Sequence, residues 1–284
     1  MQSHRVKANG LVHHLLEWEG PSDRTVLILH GYLDMARSFQ KVAAPIAQAG
    51  YRVIALDLRG YGESQWIPEG TYYYFPDYAA DVALLLEALD CDRIHLVGHS
   101  MGGSVATLYA GTFPDRLQSL TLLEGVGLPP MDPDISPDRT LAWIEGLKRV
   151  RARSPKKLSS IDEATARMHR NHPTVPLEVI REVAAWSVRP VDDGFQFCFD
   201  PLHQTTSPGR FDAEGYESFI PRITCPVLLV DGGDVSNWPT LAERAARYPR
   251  AQHVSLEGAG HMMHWTQPDA VAWTLLEFLS EQQP

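Results

Sequence analysis

Apolar positions in the first 125 residues follow two alternating periods. Strand-like runs occur at 11–18 (LVHHLLEW), 25–31 (TVLILHG), 51–60 (YRVIALDLRG), 93–98 (RIHLVG) and 117–125 (LQSLTLLEG), of which 25–31 is apolar almost throughout. The fully apolar run at 25–31, ending in glycine, predicts a strand buried on both faces, as in a parallel sheet. Between them the spacing shifts to that of helices. Phe39, Val42, Ala43 and Ile46 fall on one helical face closed by Gly50, with Pro45 predicting a kink or a late start. Tyr78, Val82, Leu85, Leu86 and Leu89 form a second face, and 101–111 a third helix. From about 125 to 215 the pattern changes to helical periodicity broken by prolines, with no clear run of buried strands. Strand character returns at 226–233 (PVLLVDGG) and 251–261 (AQHVSLEGAGH), and a closing helix begins at Pro268. Alternating strands and helices predict an α/β fold with a mostly parallel sheet covered on both faces. The expected organisation is a core of residues 1–124 and 216–284 with a helical cap of 125–215 inserted after one strand.

Composition narrows the picture. A chain of 284 residues, 44% hydrophobic, suffices for one large domain or a domain with an insertion. The net charge of −10 argues against nucleic acid as a partner, because neutralising phosphates needs excess Lys and Arg. Cys91, Cys198 and Cys225 are odd in number and far apart, with no metal-binding spacing, so reduced buried thiols are expected rather than disulfides or zinc. The start, MQSHRVKANG, carries no apolar signal-peptide core, and no apolar run nears the length of a membrane span. A soluble, cytoplasmic protein with a small-molecule substrate and no membrane partner is expected. One basic run, KRVRARSPKK at 148–157, reads either as a solvated helix face or as a dock for an anionic partner.

The chemistry centres on residues 96–109, LVGHSMGGSVATLY. Gly98-His99-Ser100-Met101-Gly102 fits G-x-S-x-G, in which a sharp strand-to-helix turn lifts a serine hydroxyl above the sheet. The residues two before and two after the serine approach closely, and glycine fills both places. The turn also brings the next helix's N-terminal amides beside the hydroxyl, where negative charge is favoured.

A serine hydroxyl needs a general base. His261, in the Gly-rich loop after the last strand, is the candidate, with His264 as a competitor better suited to packing. The base in turn needs a carboxylate to fix its tautomer. Glu124 at the end of the strand before the insertion, and Asp231 or Asp234 after PVLLV, all obey the chain order Ser, acid, His. In LHGYL, Gly31 permits a close backbone turn, and the Tyr32 amide paired with that of Met101 would form an oxyanion hole. His30 reads as a hydrogen-bonding loop residue.

Taken together, LHGYLD, ALDLRGYGES, LVGHSMGG and GAGHMMHWTQP resemble the α/β-hydrolase superfamily over about two thirds of the chain. The serine-hydrolase-like branch is the most similar, with GFQFCFDPLHQ at 194–204 adding to the likeness. The resemblance implies an eight-stranded, mostly parallel sheet, a helical cap over the site, and no cofactor. It also implies that Asp57, Arg59 and Ser64 pin a structural turn. The aromatic residues that follow, Trp66, Tyr72, Tyr73, Tyr74 and Phe75, read either as a pocket rim or as loop packing. The family's usual acid stands three residues after Gly232, where this chain has Val235; Asp234 comes one residue early. Certain dehalogenases of the superfamily carry the acid one strand earlier, the place Glu124 occupies here, so Glu124 is preferred. Haloalkane dehalogenases and epoxide hydrolases use aspartate as nucleophile, and Ser100 disfavours those activities.

The leading expectation is a carboxylesterase-like serine hydrolase working through an acyl-enzyme on a small ester or related acyl compound. The same residues would serve a carbon–carbon bond hydrolase or a cofactor-free perhydrolase, the former drawing on Arg167, Arg181 or Arg189 to hold a substrate carboxylate. A small-molecule receptor with slow hydrolysis is the non-enzymatic alternative.

Overall fold

The computed structural model describes residues 1–154, 156–233 and 241–282. The chain opens with strands β1 (Gln2–Ala8), β2 (Leu11–Trp18) and β3 (Thr25–Leu29). Helix α1 (Gln40–Gln48), β4 (Arg52–Leu56), α2 (Phe75–Ala88), β5 (Ile94–His99), α3 (Met101–Thr112) and β6 (Leu117–Leu123) follow. The segment after β6 holds α4 (Ser136–Arg151), α5 (Ile161–Asn171), α6 (Leu177–Ser187) and a hairpin of β7 (Val188–Val191) and β8 (Gly194–Phe197). Then come α7 (Ala213–Glu217), β9 (Val227–Asp231), α8 (Leu241–Ala245), β10 (Ala251–Ser255), α9 (Met263–Thr266) and α10 (Pro268–Glu281).

Eight strands form one sheet in the order β1-β2-β4-β3-β5-β6-β9-β10. β1 pairs antiparallel with β2 and β2 with β4; the other pairs are parallel. Every residue of β3 is buried because helices cover both sheet faces. Leu27 and Leu29 pack with α2 and α3 through Val82, Leu85, Val105 and Tyr109. Val26 and Ile28 pack with α1 and α10 through Phe39, Ile46, Leu275 and Phe278. Such two-sided burial is why these strands read as continuous apolar runs. α1 continues three residues past Pro45, and a 3₁₀ turn at Ala36–Phe39 delays its start.

Two elements escape the periodicity. β1 is an edge strand with mostly exposed or half-buried residues, so it lacks an apolar run. Its signal is the turn: Asn9 and Gly10, at φ 48° and 76°, join Ala8 to its partner Leu11. Asn-Gly is the dipeptide a two-residue hairpin with two positive φ angles demands. The β7–β8 hairpin is exposed or half-buried along most of its length and likewise shows no buried pattern.

The segment between β6 and β9 has its own small core of Leu158, Ala164, Met168, Ile180, Val183 and Ala184. That core closes against Met262 and Trp265, neighbours of His261, so the inserted helices sit directly on the histidine loop. Cys91, Cys198 and Cys225 are free thiols, and burial pushes Cys198 and Cys225 up to about 11. Among the described residues, no helix is long and apolar enough to cross a membrane.

Candidate active site

Ser100 stands alone between the end of β5 and the start of α3, with φ 50° and ψ −114°. Positive φ in a residue with a Cβ costs of order 1–3 kcal/mol and persists only where surroundings over-determine it. The surroundings here are glycines. A Cβ on Gly98 would lie 2.5 Å from the Gly102 carbonyl oxygen, and one on Gly102 2.3 Å from that of Leu29. The Ser100 amide donates to Leu123 O at 2.9 Å, and its carbonyl accepts from the Gly103 and Ser104 amides. The hydroxyl is thereby held above β5 at the tip of a rigid turn.

His261 and Glu124 meet this hydroxyl in one line. Ser100 Oγ lies 3.0 Å from His261 Nε2, and His261 Nδ1 lies 2.8 Å from Glu124 Oε2. Glu124 follows β6 with φ 47°, and its side chain is fully buried. An ionised carboxylate only accepts, so Nδ1–H donates to it and the Nε2 lone pair is left to accept from the serine hydroxyl. The second carboxylate oxygen, Oε1, accepts from the Gly232 amide at 2.9 Å. Gly232 O in turn accepts from the Gly260 amide at 3.0 Å, tying the acid to the histidine loop through one residue. A Cβ on Gly232 would sit 2.4 Å from Gly260 O, so no larger residue fits that junction.

The other carboxylate candidates stand apart. Asp231 accepts from Gly233 N, Ser255 Oγ and His253 Nε2. Burial alone would raise its pKa, but these donors hold it below the usual carboxylate value. Asp234 lies outside the described residues. His264 is buried, bonds to Asp34 Oδ2 at 2.8 Å and stacks on Phe39 with 4.1 Å between ring centroids. His30 donates from Nδ1 to Gly31 O and accepts at Nε2 from the Leu58 amide, as a loop brace would. Asp57 accepts from Ala36 N, Glu63 N and His14, and Arg59 grips Asp81 through two 2.5 Å bonds, which makes the 57–64 segment a pinned turn.

His99, the residue before the serine, is the part that sequence reasoning missed. Its Nε2–H donates to the His261 carbonyl at 2.8 Å and braces the histidine loop. Burial, with the neighbouring His264 and His261 rings, pushes its pKa well below the ordinary value, so it stays neutral. The only available signal was its place inside G-x-S-x-G. Asp34, His99 and His264 bring three metal-ligating side chains within 4.8 Å of one another. Two bonds of that group are already committed, one from His99 to His261 and one between His264 and Asp34.

The loop after β3 packs against the turn: a Cβ on Gly31 would lie 3.2 Å from Ser100 Cβ. The backbone amides of Tyr32 and Met101 have no acceptor among the described residues. The Tyr32 hydroxyl donates to His203 O, linking this loop to the inserted segment.

Two cavities flank the loop. One, of about 670 Å³, is lined by Tyr32, Met101 and aromatic residues that include Tyr72, Tyr73, Tyr74 and Phe75. The other, of about 980 Å³, is lined by Tyr32, Leu33, Trp66, His172 and Trp265 together with residues of α4, α5 and the chain after α4. Arg167 lines this second cavity. Arg189 instead lies over the Trp66 ring, and Arg181 pairs with Asp162 at the surface.

A serine turn, a histidine loop and a carboxylate on an eight-stranded sheet define an α/β-hydrolase. Residues 24–268 match the family model described as the alpha/beta hydrolase fold, and the chain belongs to that family. It is 28% identical over 277 residues to a serine hydrolase-like protein of Danio rerio, covering 93% of this chain and 84% of that one. The structure superposes on a hypothetical protein from Pseudomonas aeruginosa with TM-score 0.87 and 27% identity, covering 99% and 100% of the two chains. A thioesterase domain from the curacin biosynthetic pathway gives TM-score 0.81 and 27% identity, covering 97% and 99%.

Proposed function

We propose that this hydrolase is a serine-dependent enzyme that cleaves a small ester or related acyl substrate through an acyl-enzyme. The observation that carries this reading is the unbroken line Ser100–His261–Glu124, with contacts of 3.0 and 2.8 Å. Ser100 Oγ attacks the substrate carbonyl while His261 Nε2 takes its proton. Glu124 holds the imidazole in the required tautomer and stabilises the imidazolium that forms. The Tyr32 and Met101 amides receive the developing oxyanion; a single such donor is worth roughly 3–4 kcal/mol in related acyl transfers. His261 then protonates the departing alcohol or thiol. Water enters, gives a proton to His261 and attacks the acyl carbon; collapse frees the acid and regenerates Ser100. Residues 125–215 act as the cap that bounds the substrate. The likeness to serine hydrolase-like proteins and to a thioesterase domain supports acyl esters and thioesters as the substrate class.

Short p-nitrophenyl esters test this reading. The wild type should show a burst of nitrophenol and then steady turnover, and Ser100→Ala should lose at least about a thousandfold in kcat. Turnover retained in Ser100→Ala would contradict it.

A further inference from the structure

We propose that basic residues of the inserted helices form an anion subsite in the larger cavity. The substrate would then be an acyl ester or thioester with a phosphate or carboxylate remote from the reacting carbonyl. The proposal rests on the acyl-transfer reading above and adds the charge of the substrate to it.

The basic residues of the run at 148–157 are exposed, and they divide between two settings. Lys148 pairs with Glu145 on its own helix, and Lys157 donates to the Asp192 carbonyl. Arg149, Arg153 and Lys156 instead line the cavity of about 980 Å³, together with Arg167 and Arg170 from α5. Arg167 is held by Glu163; the other four have no acidic partner among the described residues. A helix C-terminus attracts basic residues through its dipole, but only within its last turn. Arg149 and Arg170 do sit in the last turns of α4 and α5, but Arg153 and Lys156 lie beyond the end of α4 at Arg151, so that effect does not account for the whole cluster.

Among the described residues that line the cavity, the one carboxylate is Asp200, which already accepts from the Tyr73 hydroxyl and the Leu202 amide. Among the described residues lining the cavity, five cations, one of them paired with Glu163, thus stand beside one engaged acid, in a chain of net charge −10. A cleft of one sign with low-dielectric walls concentrates ligands of the opposite sign. The same cavity reaches Tyr32 and Leu33, on the loop that carries the candidate oxyanion amide, and Trp265 in α9, which directly follows the histidine loop. Tyr32 also borders the aromatic cavity on the other side. An occupant spanning the site would place an apolar half among Tyr72, Tyr73 and Phe75 and an anionic half against Arg149, Arg153 and Arg170.

Matched substrates test the proposal and separate the two sources of charge. Butyryl-coenzyme A is compared with the neutral butyryl thioester of N-acetylcysteamine, and monomethyl glutarate with dimethyl glutarate. The expected result is a kcat/KM at least tenfold higher for the charged member of one pair at low salt, shrinking in 0.5 M NaCl. The preferred pair tells whether phosphate on the thiol half or carboxylate on the acyl half is read. In Arg149→Glu/Arg153→Glu the charged-to-neutral ratio should fall at least tenfold, while Arg181→Glu, outside the cavity, should keep it. Equal kcat/KM within both pairs, or a ratio unmoved by the double variant, would overturn the subsite. Calorimetric binding of coenzyme A and of glutarate reads the subsite without turnover. If neutral thioesters are not cleaved yet one of these anions binds through Arg149 and Arg153, the acyl-transfer reading fails and the subsite stands. Sedimentation with anionic phosphatidylglycerol vesicles, without a preference among the soluble pairs, would replace the subsite with a lipid surface.

Discussion

Replacing Glu124 with glutamine removes the charge of the candidate acid while keeping its shape. In the native site Oε1 accepts from the Gly232 amide and Oε2 from His261 Nδ1–H, at 2.9 and 2.8 Å. Gly232 N–H can be satisfied only by an oxygen, so it selects the amide orientation: the glutamine oxygen faces Gly232 and the NH₂ faces His261. The imidazole must then present a lone pair at Nδ1 and carry its proton at Nε2. That tautomer cannot take a proton from Ser100. The corresponding change in a serine protease costs about 10⁴ in kcat, so a loss of about 10³–10⁴, or roughly 4–5.5 kcal/mol of activation free energy, is expected here. Removing a buried charge with its shape conserved should not unfold the chain, and thermal denaturation checks that the melting temperature is held. The assay is steady-state hydrolysis of a p-nitrophenyl ester by Glu124→Gln beside Asp234→Asn. Activity of Glu124→Gln within about tenfold of wild type would refute the reasoning, and loss in Asp234→Asn instead would move the acid to that residue.

Other expectations follow from the same coordinates. Gly102→Ala would drive a Cβ to 2.3 Å from the Leu29 carbonyl, so it should destabilise by about 1–3 kcal/mol and lower the melting temperature by several degrees in calorimetry; an unchanged melting temperature would contradict the close approach. Burial holds His95 at about 4 and His203 at about 3, whereas an unfolded chain protonates histidine near 6.5. The unfolded state therefore binds more protons as pH falls from 6.5 towards 4, and these two rings should cost up to about 1.4 kcal/mol of stability each per pH unit over that range. Urea titrations at pH 7, 6 and 5 read this, and midpoints that rise on acidification would contradict it. Cys225, buried and with its thiol pushed up to about 11, should react with Ellman's reagent far more slowly in the native protein at pH 8 than in denaturant; equal rates would contradict its burial.

The parts legible in the sequence are those whose cause is local. β3, β5, β6 and β9 lie inside the sheet between two helical layers, and burial on both faces leaves an apolar run anyone can read. β1 was invisible because only one of its edges is paired and most of its side chains are not buried, although the Asn9-Gly10 turn announced it. The β7–β8 hairpin lay hidden for the same reason, with exposed Arg189 and Pro190 in one strand. Ser100 and His261 draw attention through short glycine-flanked motifs. The choice of acid depends on how β6, β9 and the histidine loop meet in space, where Gly232 links Glu124 to Gly260. No spacing along the chain encodes that junction. The cation-lined cavity is equally non-local, since α4 and α5 contribute to it from separate segments and half of the basic run turns elsewhere.

The most direct test of the central claim is labelling with a fluorophosphonate, which reacts with a serine only when a base activates it beside an oxyanion site. After labelling, tryptic peptides are mapped by mass spectrometry. The account predicts a single adduct on the peptide containing Ser100, absent from Ser100→Ala and strongly slowed in His261→Ala. An unlabelled wild type, or a Ser100→Ala protein labelled as fast as wild type, would contradict it.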